Sequence, residues 1–210
     1  MSNDIPTTTR LLFVRHGQTN MTVDDAFCGA TEVPLTPMGH RQAQMLAERL
    51  RHTHVDALYC SPQQRALDTA APIADMLGLE ISRRDELREM DFGVWENQPR
   101  SELLKEYPRL LHGWDRGLWM GNPPGGETRQ AVIARVVPCI IELLGAHSGK
   151  TLLIVSHRTT LRLLIGHMLD MALSSSRRME VSPASLTELH VTRDQVQLIF
   201  YNDTSHLAAL

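Results

Sequence analysis

Arg15 and His16 follow the apolar run Leu11-Leu12-Phe13-Val14, Arg65 follows "CSPQQ", and His157 follows "LLIVS". A strand that ends on a cation and an imidazole either surfaces there or builds the floor of a site for an anion. Two guanidiniums supply paired donors suited to phosphate oxygens and keep their charge near pH 7, while an imidazole can act as base or nucleophile. Gly17, directly after the pair, permits a close backbone approach. Transfer of a phosphoryl group also needs a proton for the leaving oxygen. "ELREMDFGVWE" offers Glu86, Glu89, Asp91 and Glu96 for that purpose. A carboxyl beside a phosphate is pushed towards its protonated form, which suits an acid. Spacing alone does not choose among the four.

The elements needed to bring these residues together alternate along the chain. "RLLFVR" (10–15), "VDALYCS" (55–61) and "KTLLIVSH" (150–157) read as buried strands. "LTPMGHRQAQMLAERLR" (35–51) reads as a helix capped by Thr36 with Pro37 at its first position, and Ala43, Leu46, Ala47 and Leu50 form its apolar face. A second helix is expected from Ser61-Pro62 to about residue 79, placing Arg65 in its first turn and bent or divided at Pro72. Further helices are expected at about 128–146 and 158–171, and a hairpin around Arg193-Asp194 closes the chain. The expected fold is α/β: a three-layer α/β/α sandwich with a mostly parallel, mixed central sheet. Ligands of such sheets bind outside the carboxyl ends of the strands. All three candidate strands deliver a cation or imidazole to that one edge. Residues from about 91 to 127, with Trp95, Trp114 and Trp119, read as a lid of short helices and loops. "GAHSGKT" has one residue too few between its glycines for a phosphate-binding P-loop and precedes its strand, so Gly149 is expected to end a helix instead.

The bulk properties narrow the class. A chain of 210 residues fills one core, so residues 1–210 are read as a single domain. A net charge of −3 disfavours nucleic acid as a partner. No segment has the ~18 uninterrupted apolar residues of a membrane span, and "MSNDIPTTTR" lacks a signal-peptide apolar run. Cys28, Cys60 and Cys139 show no paired spacing and suit a reducing, cytoplasmic setting. Neither a metal-ligand cluster nor a cofactor motif is evident.

With these motifs in place the chain resembles the histidine phosphatase superfamily, in the branch of the phosphoglycerate mutases. The resemblance rests on "RHGQT" (15–19), "PLTPMGHRQA" (34–43), "SPQQRALDTA" (61–70), "LREMDFGVWE" (87–96), "PPGGET" (123–128) and "VSH" (155–157). It implies that His16 becomes phosphohistidine and that Arg15, Arg65 and His157, the last as a charged donor, hold the phosphoryl oxygens. Glu89 would be the acid and later the base, and no metal would be required. Gly17, Thr19, Thr22, Cys28, Gly29 and Arg158 are the further substrate contacts so implied. Thr22, Cys28 and Arg158 depart from the commonest family residues, and Arg158 adds positive charge towards a second anionic group. The short link from Glu89 to Glu127, and Phe92 where the mutases resemble one another in having tyrosine, favour hydrolysis over a mutase. A binding module for phosphorylated ligands is a third reading, disfavoured because His16 and Glu89 are both present. The implied partner is a small phosphorylated metabolite, with a homodimer through an edge strand. Arg88, Arg100, Arg109 and Arg116 are candidate contacts for its other charges. Trp95, Trp114, Trp119 and Met120 form either an apolar wall or, by default, the lid's own core.

Overall fold

Alternation within the first strand organises the molecule: Leu11 and Phe13 pack to one face of the sheet, Leu12 and Val14 to the other. A computed structural model describes residues 7–118 and 121–210; residues 1–6, Trp119 and Met120 lie outside it, and with them the readings made of the N-terminus and of an apolar wall at 119–120. In chain order the elements are β1 (Thr9–Arg15), α1 (Asn20–Val23), α2 (Pro37–Leu50), β2 (Ala57–Cys60), α3 (Gln64–Leu77), β3 (Ile81–Arg83), α4 (Arg100–Glu106), α5 (Pro108–Asp115), α6 (Arg129–Ala146), β4 (Thr151–Ser156), α7 (Arg158–Met168), β5 (Leu186–Val191) and β6 (Val196–Asp203).

The strands form one sheet in the order β3-β2-β4-β1-β5-β6. β3, β2, β4 and β1 run parallel, and β5 and β6 add antiparallel at one side. Helices α2 and α3 cover the face of Leu12, Val14, Leu58, Leu153 and Val155, whereas α6 and α7 cover the face of Leu11, Phe13, Leu152 and Ile154. This is the expected three-layer sandwich. Arg15 pairs in register with Ser156, and Cys60 with Val155, so the carboxyl tips of β1, β4 and β2 share one edge.

A third cluster sits over that edge. Met90, Phe92, Trp95, Leu103, Leu111 and Trp114 pack with Val132 of α6 and Leu163 of α7. Trp95 and Trp114 are 0% and 1% exposed, so they are the core of this covering segment. Arg129 holds Trp114 from above: its guanidinium carbon is 4.2 Å from the ring centroid and Nη2 donates to the Trp114 carbonyl at 2.9 Å.

Local starts and stops differ from expectation in three places. Thr36 caps α2 as expected, accepting from Gly39 N at 3.0 Å. α3, however, starts at Gln64 rather than at Ser61-Pro62, and the Ser61 hydroxyl takes His157 Nε2 and Gln63 N as its partners. α3 also runs through Pro72 as one helix; buried Thr69, Ala70 and Ile73 hold it against the sheet on either side of the break in its ladder. α6 ends at Ala146 with His147 as its cap, and Gly149, at φ +75°, lies in the turn that leads to β4. Among the described residues no helix is long and apolar enough to cross a membrane.

Candidate active site

The tip of β1 is fixed before its side chains are considered. His16 N donates to Ser156 O at 3.0 Å, and Gly17 N donates to the Thr69 hydroxyl at 3.0 Å. A side chain at Gly17 would meet the Gly39 carbonyl at 2.6 Å. The close approach that this glycine permits is therefore to α2, and Gly17 does not line the cavity. His16 Nδ1 lies 2.8 Å from the Gly17 carbonyl oxygen, which can only accept, so Nδ1 carries the proton and Nε2 keeps its lone pair. Burial, then Arg15 and Arg65 beside it, hold this imidazole well below the usual histidine range. His16 is thus a neutral, oriented base or nucleophile at pH 7.

Arg15 donates from Nη1 to Val181 O at 2.6 Å, and its Nε is buried without a partner. Burial and neighbouring Arg158 push its pKa down to about 10, which leaves it charged at neutral pH. Arg65, in the first turn of α3, donates to the carbonyls of Thr31 and Gly29, each at 2.8 Å, and from Nε to His157 Nδ1 at 3.2 Å. Three of the five guanidinium protons are placed, and the others remain for a ligand.

His157 differs from expectation. Its Nδ1 accepts from Arg65, so its proton is on Nε2, which donates to the Ser61 hydroxyl at 2.7 Å. Burial, followed by Arg65, His16 and Arg15, keeps the ring well below the usual range. His157 is therefore neutral rather than a charged donor. It stands behind the cavity wall, its ring centroid 5.1 Å from that of His16, and orients Arg65.

Of the four carboxylates Glu86, Glu89, Asp91 and Glu96, only Glu89 lines the cavity. It also caps α7: Oε2 accepts from Thr159 N at 2.9 Å and Oε1 from Thr160 N at 3.0 Å. Oε2 has this one donor and retains capacity for a proton or a ligand. Asp91 turns back to Gly93 N. Glu96 gathers the backbone N–H groups of Gly29, Ala30, Thr31 and Phe92 and the Thr31 hydroxyl. It thereby shapes the loop whose carbonyls grip Arg65.

The cavity encloses about 460 Å³, the size for a small metabolite. Thr19, Thr22, Cys28 and Arg158 are in its wall. Thr19 and Thr22 share a hydroxyl contact of 3.0 Å at the start of α1, and burial pushes the Cys28 thiol up to about 11. Gly29 is not in the wall; a side chain there would meet the Met90 carbonyl at 1.9 Å, so it is a packing glycine. Arg100 lines the cavity, whereas Arg88, Arg109 and Arg116 do not. Three contributors escaped the sequence reading. Gln63 is 3% exposed and accepts from Glu89 N while donating to Gly29 O, which ties the acid's loop to that of Arg65. Arg162 and Arg177 line the far end; Arg162, one helical turn beyond Arg158, could have been found from that spacing. Among the described residues no group of three or more His, Cys, Asp or Glu could hold a metal.

A mixed, mostly parallel sheet at whose edge two guanidiniums, an oriented imidazole and a buried carboxyl face one cavity defines an anion-handling α/β protein. The family model of the histidine phosphatase superfamily (branch 1) matches residues 11–204, and the chain belongs to that family. It is 30% identical over 206 residues to the "Putative phosphoserine phosphatase 2" of Hydrogenobacter thermophilus, covering 96% of this chain and 98% of that protein. It is 31% identical over 184 residues to the "Probable phosphoglycerate mutase GpmB" of an Enterobacter species, covering 86% and 84%. Among solved structures, Bacillus stearothermophilus YhfR superposes with a TM-score of 0.89 at 28% identity, covering 95% of this chain and 99% of that one.

Proposed function

We propose that the protein is a phosphatase that hydrolyses a small phosphomonoester through phosphohistidine on His16. The observation that carries this reading is the locked His16 ring, its Nε2 lone pair left free, in a cavity that Arg15, Arg65 and Glu89 also line. In the first step Nε2 attacks phosphorus, the bond to the ester oxygen breaks, and Glu89 gives that oxygen its proton. In the second, water attacks phosphorus, yields a proton to Glu89, and the N–P bond breaks to release inorganic phosphate. Arg15 and Arg65 stabilise the charge spread over the transferring group, and His157 keeps Arg65 aimed. This chemistry calls for no metal or cofactor. In this reading residues 1–210 act as one domain, and the segment of about 91–127 is the lid that limits water.

The free Cys28, Cys60 and Cys139 support a cytoplasmic setting, and the exposed Leu198 and Ile199 on edge strand β6 are where a second copy would dock. The relative named as a mutase keeps one alternative in view, return of the phosphoryl group to another hydroxyl. Phosphate release from a panel of phosphomonoesters by the wild type and by His16→Ala tests the proposal. Release by the wild type alone supports it; isomerised product with little phosphate supports the mutase; release by both excludes His16 as nucleophile.

A further inference from the structure

Arg15 is held less firmly than Arg65. Arg65 donates to Thr31 O, Gly29 O and His157, whereas the Arg15 guanidinium has one acceptor among the described residues, Val181 O at 2.6 Å, and its Nε is buried without a partner. Its aim therefore depends on the segment from Val181 to Ser185, which belongs to no strand or helix. That segment wraps the tip of β1. Ser185 O accepts from Arg15 N at 3.3 Å, and Ala184 N donates to Arg15 O and His16 O at 3.1 and 3.2 Å.

The turn in this segment has a form that its residues do not favour. Ser185 N donates to Ser182 O at 3.1 Å, which closes a turn with Pro183 and Ala184 at its centre. Proline fixes a negative φ, yet Ala184 has φ +53°. That combination is a type II turn, whose third position ordinarily takes glycine or asparagine. A type I turn would suit alanine better, but it flips the peptide between Pro183 and Ala184 and turns the Ala184 N–H away from β1. A strained conformation of this kind persists only where its surroundings over-determine it. Two residues near the end of the chain do so. Asn202 Oδ1 accepts from Ser182 N at 2.7 Å, and Nδ2 donates to the Ser182 hydroxyl at 3.2 Å. His206, in the short turn Ser205–Leu207, donates from Nε2 to Ala184 O at 3.0 Å. Asn202 sits in a bulge, where β6 carries one residue more than β5 between the Leu186–Asp203 and Glu188–Phe200 pairs, and its own φ is +53°. Bulges re-aim a side chain in this way.

We propose that Asn202 and His206 are positioning residues for Arg15: they hold the 181–185 turn in the form that aims the guanidinium at the phosphoryl group. His16 depends on the turn less, because Ser156 O holds its N–H and the Gly17 carbonyl holds its ring. The proposal rests on the phosphatase reading and adds to it two residues that lie outside the cavity wall.

A double-mutant cycle on kcat/KM for p-nitrophenyl phosphate tests it. Asn202→Gly removes both side-chain contacts without straining residue 202, since glycine adopts the left-handed conformation freely. It should lower kcat/KM by roughly 10- to 100-fold, the scale of a displaced catalytic group. His206→Phe, which keeps a ring and loses the donor, should act in the same direction. Asn202→Asp, whose second oxygen can accept from the Ser182 hydroxyl, should recover most of the loss. In an Arg15→Ala background Asn202→Gly should cost no more than about twofold, because no guanidinium is left to aim. A residue serving only the fold would cost as much there as in the wild type, and that result overturns the proposal. Undiminished turnover in both Asn202→Gly and His206→Phe, or an Asn202→Asp no better than Asn202→Gly, also overturns it. Turnover surviving in His16→Ala would instead sink the phosphohistidine reading, so the two failures are distinct.

Discussion

At the scale of the residue, the site works because each reactive atom has its neighbours assigned. The Gly17 carbonyl fixes the His16 proton on Nδ1, and burial with two flanking guanidiniums keeps the ring unprotonated far below its ordinary range. The acid limb of kcat/KM assigned to His16 should therefore lie well below pH 6.5, the usual histidine value; a pH profile with its acid midpoint at or above 6.5 would contradict this. Glu89 is expected to matter in proportion to the proton demand of the leaving group. Glu89→Gln should lower kcat by about 10²- to 10⁴-fold on an alkyl phosphate and far less on p-nitrophenyl phosphate, whose phenolate leaves without help. An equal loss on both substrates would remove Glu89 from the role of acid.

At the scale of the element, the strand tips were legible and their braces were not. Leu11 to Val14 and "LLIVS" announce buried strands, and the cations that follow them fall at one sheet edge because parallel strands must end together. In sequence Gln63 carries no signal, Ser61 reads as a helix start and Glu96 as one of four candidate acids. Their meaning comes from partners far along the chain: Gln63 bridges Gly29 and Glu89, and Ser61 receives the His157 proton. The choice of Glu89 from four carboxylates also needed the fold, since only the start of α7 draws one of them into the cavity. β3 was missed because its three residues carry one apolar side chain, Ile81, at the sheet's margin. Gln63→Ala leaves the buried Glu89 N–H and loses the brace on Gly29, so it should destabilise the protein by about 1–3 kcal/mol in denaturant unfolding. A mutant as stable as the wild type would show that the brace is idle.

At the scale of the whole molecule, the site places strain on stability. His16 and His157 are buried neutral, with pKa values below those of the unfolded chain. Below about pH 6.5 the unfolded chain gains protons that the folded state refuses, so stability is full above that pH and falls as pH drops through the window beneath it. Each of the two rings should contribute up to about 1.4 kcal/mol per pH unit to that fall. Unfolding free energies at pH 7 and 5.5 should show it, with a shallower dependence in His16→Gln; an identical slope in the variant would contradict the assignment.

The central claim concerns one bond, between His16 and phosphorus. The most direct measurement is mass spectrometry of peptides from protein mixed rapidly with a turned-over phosphomonoester and quenched in alkaline denaturant, which preserves phosphohistidine. A phosphoryl group on the peptide containing His16, formed within one turnover and absent from His16→Ala, is the predicted result. Steady phosphate release with no adduct on that peptide, or an adduct on another residue, would contradict it.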